Sequence, residues 1–200
     1  HSIGVRTAPV RYQPFKRLVR TVAHLDFNEE NIAVVNLKFD GWIENQIAER
    51  TGDLVKKGDP LFTVYSPDLV ATQQEYLLAF QNYQKLAKAT DQEIAASART
   101  LLAASKQRLR NWDITEQQIE ALEQSGAVRK TLTIYAPSQG VIMHKNAIQG
   151  GRVKAGTDLY RIADLSTIWV YAHVFEYDLP WVRVGQSVEM ELSYFPGRKF

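Results

Sequence analysis

Apolar residues return along this chain in two different rhythms. The segment GWIENQIAERTGDLVKKGDPLFTVYSP, residues 41–67, consists of short apolar runs interrupted by glycine-bearing turns. GVIMHKNAIQGGRVKAGTDLYRIAD, residues 140–164, repeats the design. With Gly41 set against Gly140 and a one-residue gap, Gly52 meets Gly150, Val55 meets Val153 and Lys56 meets Lys154. Gly58 then meets Gly156, Leu61 meets Leu159 and Phe62 meets Tyr160. Each copy predicts strand, turn, strand, because glycine tolerates positive φ at the turns and Val- and Ile-bearing runs favour strands. A unit this small buries no face alone, so the two copies are expected to pack together as halves of one β domain. A third alternation, Val188, Met190 and Leu192 against Glu189 and Glu191, predicts a half-buried strand near the end. Pro196-Gly197 follows as a turn, and the chain stops at Phe200 where another strand would begin, the pattern expected of a piece of a longer protein.

Between the copies the period lengthens to that of a helix. Ser66-Pro67 supplies an N-cap and a proline at the first helical position. From there to about residue 89, the series Leu69, Tyr76, Tyr83 and the series Gln73, Phe80, Ala87 form a seam for a neighbouring helix. Thr90-Asp91 offers the next cap, ahead of a second helix with Ile94, Ala98, Leu101, Leu102, Ser105, Leu109 and Trp112 on one face. Asp113-Ile114 breaks the run. Thr115 with Gln118 makes a capping box for a short third helix that carries Ile119 and Leu122 and ends at Gly126. About 22 residues in each long helix correspond to roughly 33 Å at ~1.5 Å per residue. An insert that leaves and re-enters the β domain at one place is expected to project from it as a spike.

Composition narrows the chemistry. The chain is 45% hydrophobic and 23% charged, as a folded soluble chain is, and no apolar run is long enough to cross a bilayer as a helix. Its 24 basic and 22 acidic residues are mixed, with no basic stripe, so no nucleic-acid partner is expected. The absence of cysteine removes thiol catalysis, disulfides and thiolate metal sites together. There is no G-x-S-x-G, no phosphate-cradling glycine loop and no H-E-x-x-H, so no enzyme is predicted. The pair Glu29-Glu30 reads as a solvated turn.

Three stretches resemble a known family: FDGWIENQIAERTGDLVKKGDPLFTVYSPDLVATQQEYL (39–77), YAPSQGVIMHKNAIQGGRVKAGTDLYRIADLSTIWVYAHVFEYDLPWVRVGQ (135–186) and LSYFPGRKF (192–200). Together with the helical insert they resemble, over nearly the whole chain, the periplasmic adaptors (HlyD-like membrane fusion proteins) of tripartite efflux pumps. ADLSTIWVYAHVFEYDLPWVRVGQ (163–186) is the most specific run. With the short hairpin and third helix, it is similar to the heavy-metal, copper/silver-like branch.

The resemblance implies an α+β fold, mainly β. Residues 1–30 would supply strands of a β-barrel or membrane-proximal region, and FKRLVRTVAHLDF (15–27) would be the strand that residues beyond 165 complete. A split lipoyl-like β domain would occupy 31–66 and 131–164. The antiparallel helical hairpin and third helix would lie at 67–130, and part of a β-barrel at 165–200. The function implied is non-enzymatic and needs no cofactor. The adaptor would sit in the periplasm of a Gram-negative bacterium, attached to the inner membrane, as a ring-like homo-oligomer. It would link an inner-membrane RND transporter to an outer-membrane TolC-like channel and export metal cations, held only transiently. An adaptor of drug efflux or type I secretion is the alternative. A lipoyl or biotinyl carrier is a remote one, since Lys145 in MHKNA lacks the Asp-Lys-Ala or Met-Lys-Met setting of a carrier lysine.

On this reading the hairpin tip that docks on the channel is Lys88, Ala89, Thr90, Asp91 and Gln92, although an ordinary polar helix–helix turn has the same composition. Of the Arg, Leu, Ser tip pattern of drug-efflux adaptors only Arg99 and Ser105 remain, with Ala103 in place of Leu, so no tip motif is carried over. Adaptors of the copper branch handle metal through methionines near the N-terminus, as soft thioethers suit Cu(I). Here the first 30 residues hold none, and the two methionines, Met143 and Met190, are far apart in sequence. Met190 reads as core filling. The histidines His1, His24, His144 and His173 show no His-x₃-His spacing, and His173 and Glu176 have opposite strand parity. No metal site is therefore assigned; Met143, Met190 and His24, which lies in a strand near Asp26, are the candidates.

Overall fold

A computed structural model describes residues 4, 8–12, 17–48, 50–86 and 92–200. In chain order it contains β1 (Ala23–Phe27), β2 (Ile32–Val35), β3 (Gly41–Gln46), β4 (Leu54–Val55) and β5 (Pro60–Tyr65). Then come the helices α1 (Pro67–Leu86), α2 (Gln92–Asn111) and α3 (Glu116–Ser125). The remaining strands are β6 (Thr131–Tyr135), β7 (Gly140–Lys145), β8 (Arg152–Val153), β9 (Tyr160–Ala163) and β10 (Ile168–Ala172). The chain forms two compact units, Phe27–Ile168 and a second made of His1–Asp26 with Trp169–Phe200.

In the first unit the sequence repeat becomes a reciprocal exchange of strands. One sheet has the order β6-β5-β3-β8 and the other β2-β9-β7-β4, all pairs antiparallel. Each half, 31–66 or 131–164, thus builds the centre of one sheet and both edges of the other. The junctions are equivalent bond for bond. The Gly52 N–H donates to the Ile142 carbonyl at 2.8 Å, and the Gly150 N–H to that of Ile43 at 2.7 Å. The Gly58 N–H donates to Ala136 at 2.9 Å, and the Gly156 N–H to Leu37 at 2.8 Å.

The matched apolar positions form the core: Ile43, Val55, Leu61, Phe62 and Val64 from one copy, Ile142, Val153, Leu159, Tyr160 and Ile162 from the other. Burial of the neighbours Leu61 and Phe62 breaks strict alternation; a register shift between Pro60 and Phe62 in the β5–β6 ladder moves the pleat there. The Phe62 and Tyr160 rings meet 5.7 Å apart and nearly parallel, at 9°. The Tyr160 hydroxyl donates to the Ala48 carbonyl at 2.9 Å.

The helical insert grows from the end of β5. The buried Ser66 hydroxyl accepts the Leu69 N–H at 3.3 Å, the expected cap. α2 packs along α1, and the chain leaves α2 through Asp113, which takes a left-handed φ of 61°. Thr115 and Gln118 form the expected capping box, and Gly126 closes α3 in the left-handed region. At the foot of the insert, Trp112 meets Phe39 at 5.3 Å and the Gln118 amide donates to the Thr133 carbonyl at 2.8 Å.

One expectation for the insert lies partly outside the described residues, and one changes. α1 is described to Leu86, so Ala87 lies outside the described residues. Ile94 and Leu101 are exposed, whereas Ala98 and Leu109 are buried. α2 has one helix beside it for most of its length, so its apolar stripe is wider than the surface that covers it.

In the second unit, β1 and β10 pair as a two-stranded sheet. Of the strand expected over 15–27, residues 15 and 16 lie outside the described residues, and among the described ones the regular part is Ala23–Phe27. Ahead of it, Arg17 is drawn to the 3₁₀ turn Glu176–Trp181, ion-paired with Asp178 at 2.7 Å and lying over the Trp181 ring at 5.3 Å. The strand expected at 188–192 reduces to a single bridge, Glu191 with Lys199, beside which Met190 and Phe200 exchange both backbone hydrogen bonds at 2.9 Å. Among the described residues no further strand extends that ladder.

Candidate functional site

Of the expected docking tip, Lys88, Ala89, Thr90 and Asp91 lie outside the described residues, and Gln92 is the first residue of α2. Away from the tip, α1 and α2 leave a groove lined by Leu78, Ala79, Asn82, Leu101, Ala104 and Ser105. A surface ion pair, Arg108 with Glu75 at 2.8 Å, lies at the same groove.

The foot of the hairpin is held more firmly. Gln73, buried in α1, donates from its amide to the Arg129 carbonyl at 3.0 Å and accepts the Arg129 N–H at 3.1 Å. The Tyr76 hydroxyl donates to the Glu123 carboxylate, tying α1 to α3. Burial first, and then that carboxylate, pushes the Tyr76 phenol far above its ordinary pKa. Arg110 bonds Glu116 at 2.5 Å, with Lys106 at 3.3 Å, and this holds the Glu116 carboxyl below the usual range. The heptad pattern places Gln73 only at a seam position; its pairing with Arg129 spans 56 residues and leaves no local trace in the sequence.

The metal candidates are scattered. Met143 is half-buried on β7, and Met190 is half-buried in the other unit. Lys145 ends β7, and His144 beside it is exposed. Among the described residues no three His, Cys, Asp or Glu side chains converge as a metal cage.

His24 has a partner that spacing could not show. The His173 Nε2 lies 3.3 Å from the His24 Nδ1, with ring centroids 5.3 Å apart. The Tyr171 ring lies on His24 at 5.2 Å and 18°. Pairing of β1 with β10 brings the two histidines together: the His173 N–H donates to the Val22 carbonyl at 3.1 Å, and the Thr21 hydroxyl donates to the His173 carbonyl. The two residues are 149 positions apart, and only the expectation that 15–27 pairs with residues beyond 165 pointed their way.

Residues 32–163, both β copies and the insert between them, match the family model described as the CusB barrel-sandwich hybrid domain. The chain belongs to this family. As a CusB-type barrel-sandwich hybrid, it is 28% identical over 181 residues to the cation efflux system protein CusB of Escherichia coli K12, covering 90% of this chain and 41% of that protein. It is 24% identical over 199 residues to the membrane fusion protein SilB of Salmonella typhimurium, covering 100% of this chain and 43% of SilB. It is 27% identical over 184 residues to the cobalt-zinc-cadmium resistance protein CzcB of Cupriavidus metallidurans, covering 86% of this chain and 35% of CzcB. The chain thus spans less than half the length of these curated relatives.

Among solved structures, a MacA–MexA chimera carrying the Pseudomonas aeruginosa MexA α-hairpin domain gives a TM-score of 0.56 at 20% identity, covering 92% of this chain and 66% of the chimera. ZneB from Cupriavidus metallidurans gives 0.50 at 22% identity, covering 82% and 73%. At those identities the likeness is one of fold.

Proposed function

We propose that this chain is part of a periplasmic adaptor that exports metal cations without catalysis of its own. The observation that carries the reading is the match to the CusB barrel-sandwich hybrid over residues 32–163, which takes in both interlocked β copies and the helical hairpin. The names of CusB and CzcB, cation efflux and cobalt-zinc-cadmium resistance, support metal as the cargo. In this reading the protein lies in the periplasm of a Gram-negative bacterium, attached to the inner membrane, and assembles as a ring-like homo-oligomer. It couples an RND transporter to a TolC-like outer-membrane channel. The tip at 88–92 faces the channel, and the segments 1–30 and 165–200 serve as barrel and membrane-proximal parts.

The test is complementation. The full-length protein, expressed with its own transporter and channel in a Gram-negative strain lacking metal efflux, is expected to raise tolerance to Cu, Ag, Zn, Co or Cd salts. Raised tolerance to organic drugs with no change toward any metal would overturn the reading and favour drug efflux. Cross-linking from residue 92 to the channel tests the docking end, and an intact mass carrying a lipoyl or biotinyl group would sink the non-carrier assignment.

A further inference from the structure

We infer that His24 and His173 form a two-histidine site for a borderline divalent cation of the Zn(II) class. Two ligand nitrogens at about 2.0–2.1 Å from a tetrahedral ion are separated by roughly 3.3–3.4 Å. The observed separation of the His173 Nε2 and the His24 Nδ1 is 3.3 Å, with 29° between the ring planes. Each histidine is anchored by backbone: His24 lies within β1, and His173 follows the end of β10 with its N–H and carbonyl both held, by Val22 and Thr21. Tyr171 packs on the His24 ring and restricts its rotation. Both imidazoles are exposed, so an ion reaches them from solvent.

Imidazole suits Zn(II), Co(II), Ni(II) and Cu(II), whereas Cu(I) prefers sulfur, and no methionine sulfur belongs to this pair. With two protein ligands, the remaining positions are filled by water. Such a site is open, and it releases its ion readily. Without metal the two rings share one N–H···N hydrogen bond, which the ion displaces; in the zinc-bound pair both facing nitrogens give lone pairs to the ion, so the proton between them moves to the far nitrogen of its own ring, or leaves to solvent where that nitrogen already carries one. A role for this site in export rests on the adaptor reading above, but the binding itself needs neither transporter nor channel.

The experiment is Zn(II) titration of the purified full-length protein near neutral pH, by calorimetry and by histidine side-chain nitrogen NMR. Zn(II) is expected to shift the His24 and His173 ring signals together and to leave His144 unmoved. His24→Ala and His173→Ala are each expected to weaken this binding at least about tenfold, because either change removes the chelate. The double variant is expected to be little weaker than the single ones, a non-additivity that two independent structural roles would not give. The inference is overturned if both single variants bind Zn(II) as the parent does. It is equally overturned if His144→Ala causes the same loss, or if the NMR of the unmodified protein shows neither ring perturbed. A failed complementation with intact zinc binding would instead count against the export role alone.

Discussion

In the sandwich, Val55 and Val153, Leu61 and Leu159, and Phe62 and Tyr160 hold equivalent places and are all buried; in the hairpin, Ile94 and Leu101 lie on the apolar register of α2 and stay exposed. The difference comes from how many neighbours each position has. A sandwich residue is covered by its own sheet and by the opposite one, and the opposite sheet has both its edge strands from the same half of the β domain. Neither copy completes a sheet without the other. A residue on α2 has one neighbouring helix for most of its length, and whatever that helix does not cover stays open. The β unit therefore folds as one interlocked body, and the insert is tied to it chiefly at its foot.

Interlocking makes the paired glycines the most sensitive positions. A Cβ on Gly140 would lie 2.4 Å from the Ala163 carbonyl oxygen, and one on Gly41 would lie 2.5 Å from that of Tyr65. In both, the obstacle is backbone of the neighbouring central strand, which cannot swing aside. Gly140 has in addition a φ of 154°, outside the conformations that side-chain-bearing residues favour. Gly140→Ala is expected to lose more than about 4 kcal/mol, in the range where marginal domains unfold, and Gly41→Ala somewhat less. Urea denaturation of both variants checks this. Equal, small losses would show that the two copies tolerate separation at this junction.

A matched pair of truncations sharpens the contrast between sandwich and hairpin. Phe62→Ala removes a fully buried ring stacked on Tyr160 and should cost about 3–5 kcal/mol. Leu101→Ala removes a side chain that is 57% exposed and should stay within about 0.5 kcal/mol. A large loss at Leu101 in the isolated protein would mean that the groove beside it is covered by something in solution.

How much of this was readable in the sequence follows the same division. The repeat showed the matched glycines and core positions because both copies obey one local geometry. The caps at Ser66, Thr115 and Gly126 were readable because capping chemistry lies within four residues. Strand exchange was not readable: an edge strand of two residues, such as β4 or β8, carries no period of its own. Nor was the exposure of Leu101, since an apolar stripe in sequence does not say how wide its cover is. Of the candidate site, His24 was singled out, but its partner emerged only from the pairing of β1 with β10. Met143 and Met190 fall in different units.

Alkaline titration probes the centre of the sandwich. Burial pushes the Tyr160 phenol up to about 12, while in the unfolded chain it titrates near 10. The folded state keeps the proton that the unfolded state releases. This contribution is therefore whole below pH ~10 and falls between pH ~10 and ~12 by roughly 1 kcal/mol or a little more per pH unit. Tyr160→Phe is expected to flatten that limb, at a cost near neutral pH of about 1 kcal/mol for the lost bond to Ala48. Some slope should persist, because Tyr76 is shifted in the same direction. Stability followed by denaturant titration from pH 8 upward measures it; an unchanged limb in the variant would place the alkaline sensitivity elsewhere.

The most local effect expected is at the foot of the insert. The Thr115 hydroxyl accepts the Gln118 N–H at 3.3 Å, and the Gln118 side-chain oxygen accepts the Thr115 N–H at 3.0 Å. Thr115→Ala removes one side of this box and should cost about 1 kcal/mol. The loss should be confined to α3, because that helix packs on the hairpin foot through Ile119 and Leu122 and is not part of either sheet. Hydrogen exchange would then quicken at 116–125 and at the N–H groups of α1 nearest Glu123, while the amides of β3, β5, β7 and β9 keep their protection. If the sheet amides quickened equally, the foot of the insert and the interlocked strands would open as one cooperative unit, and the separation between sandwich and hairpin would fail at this point.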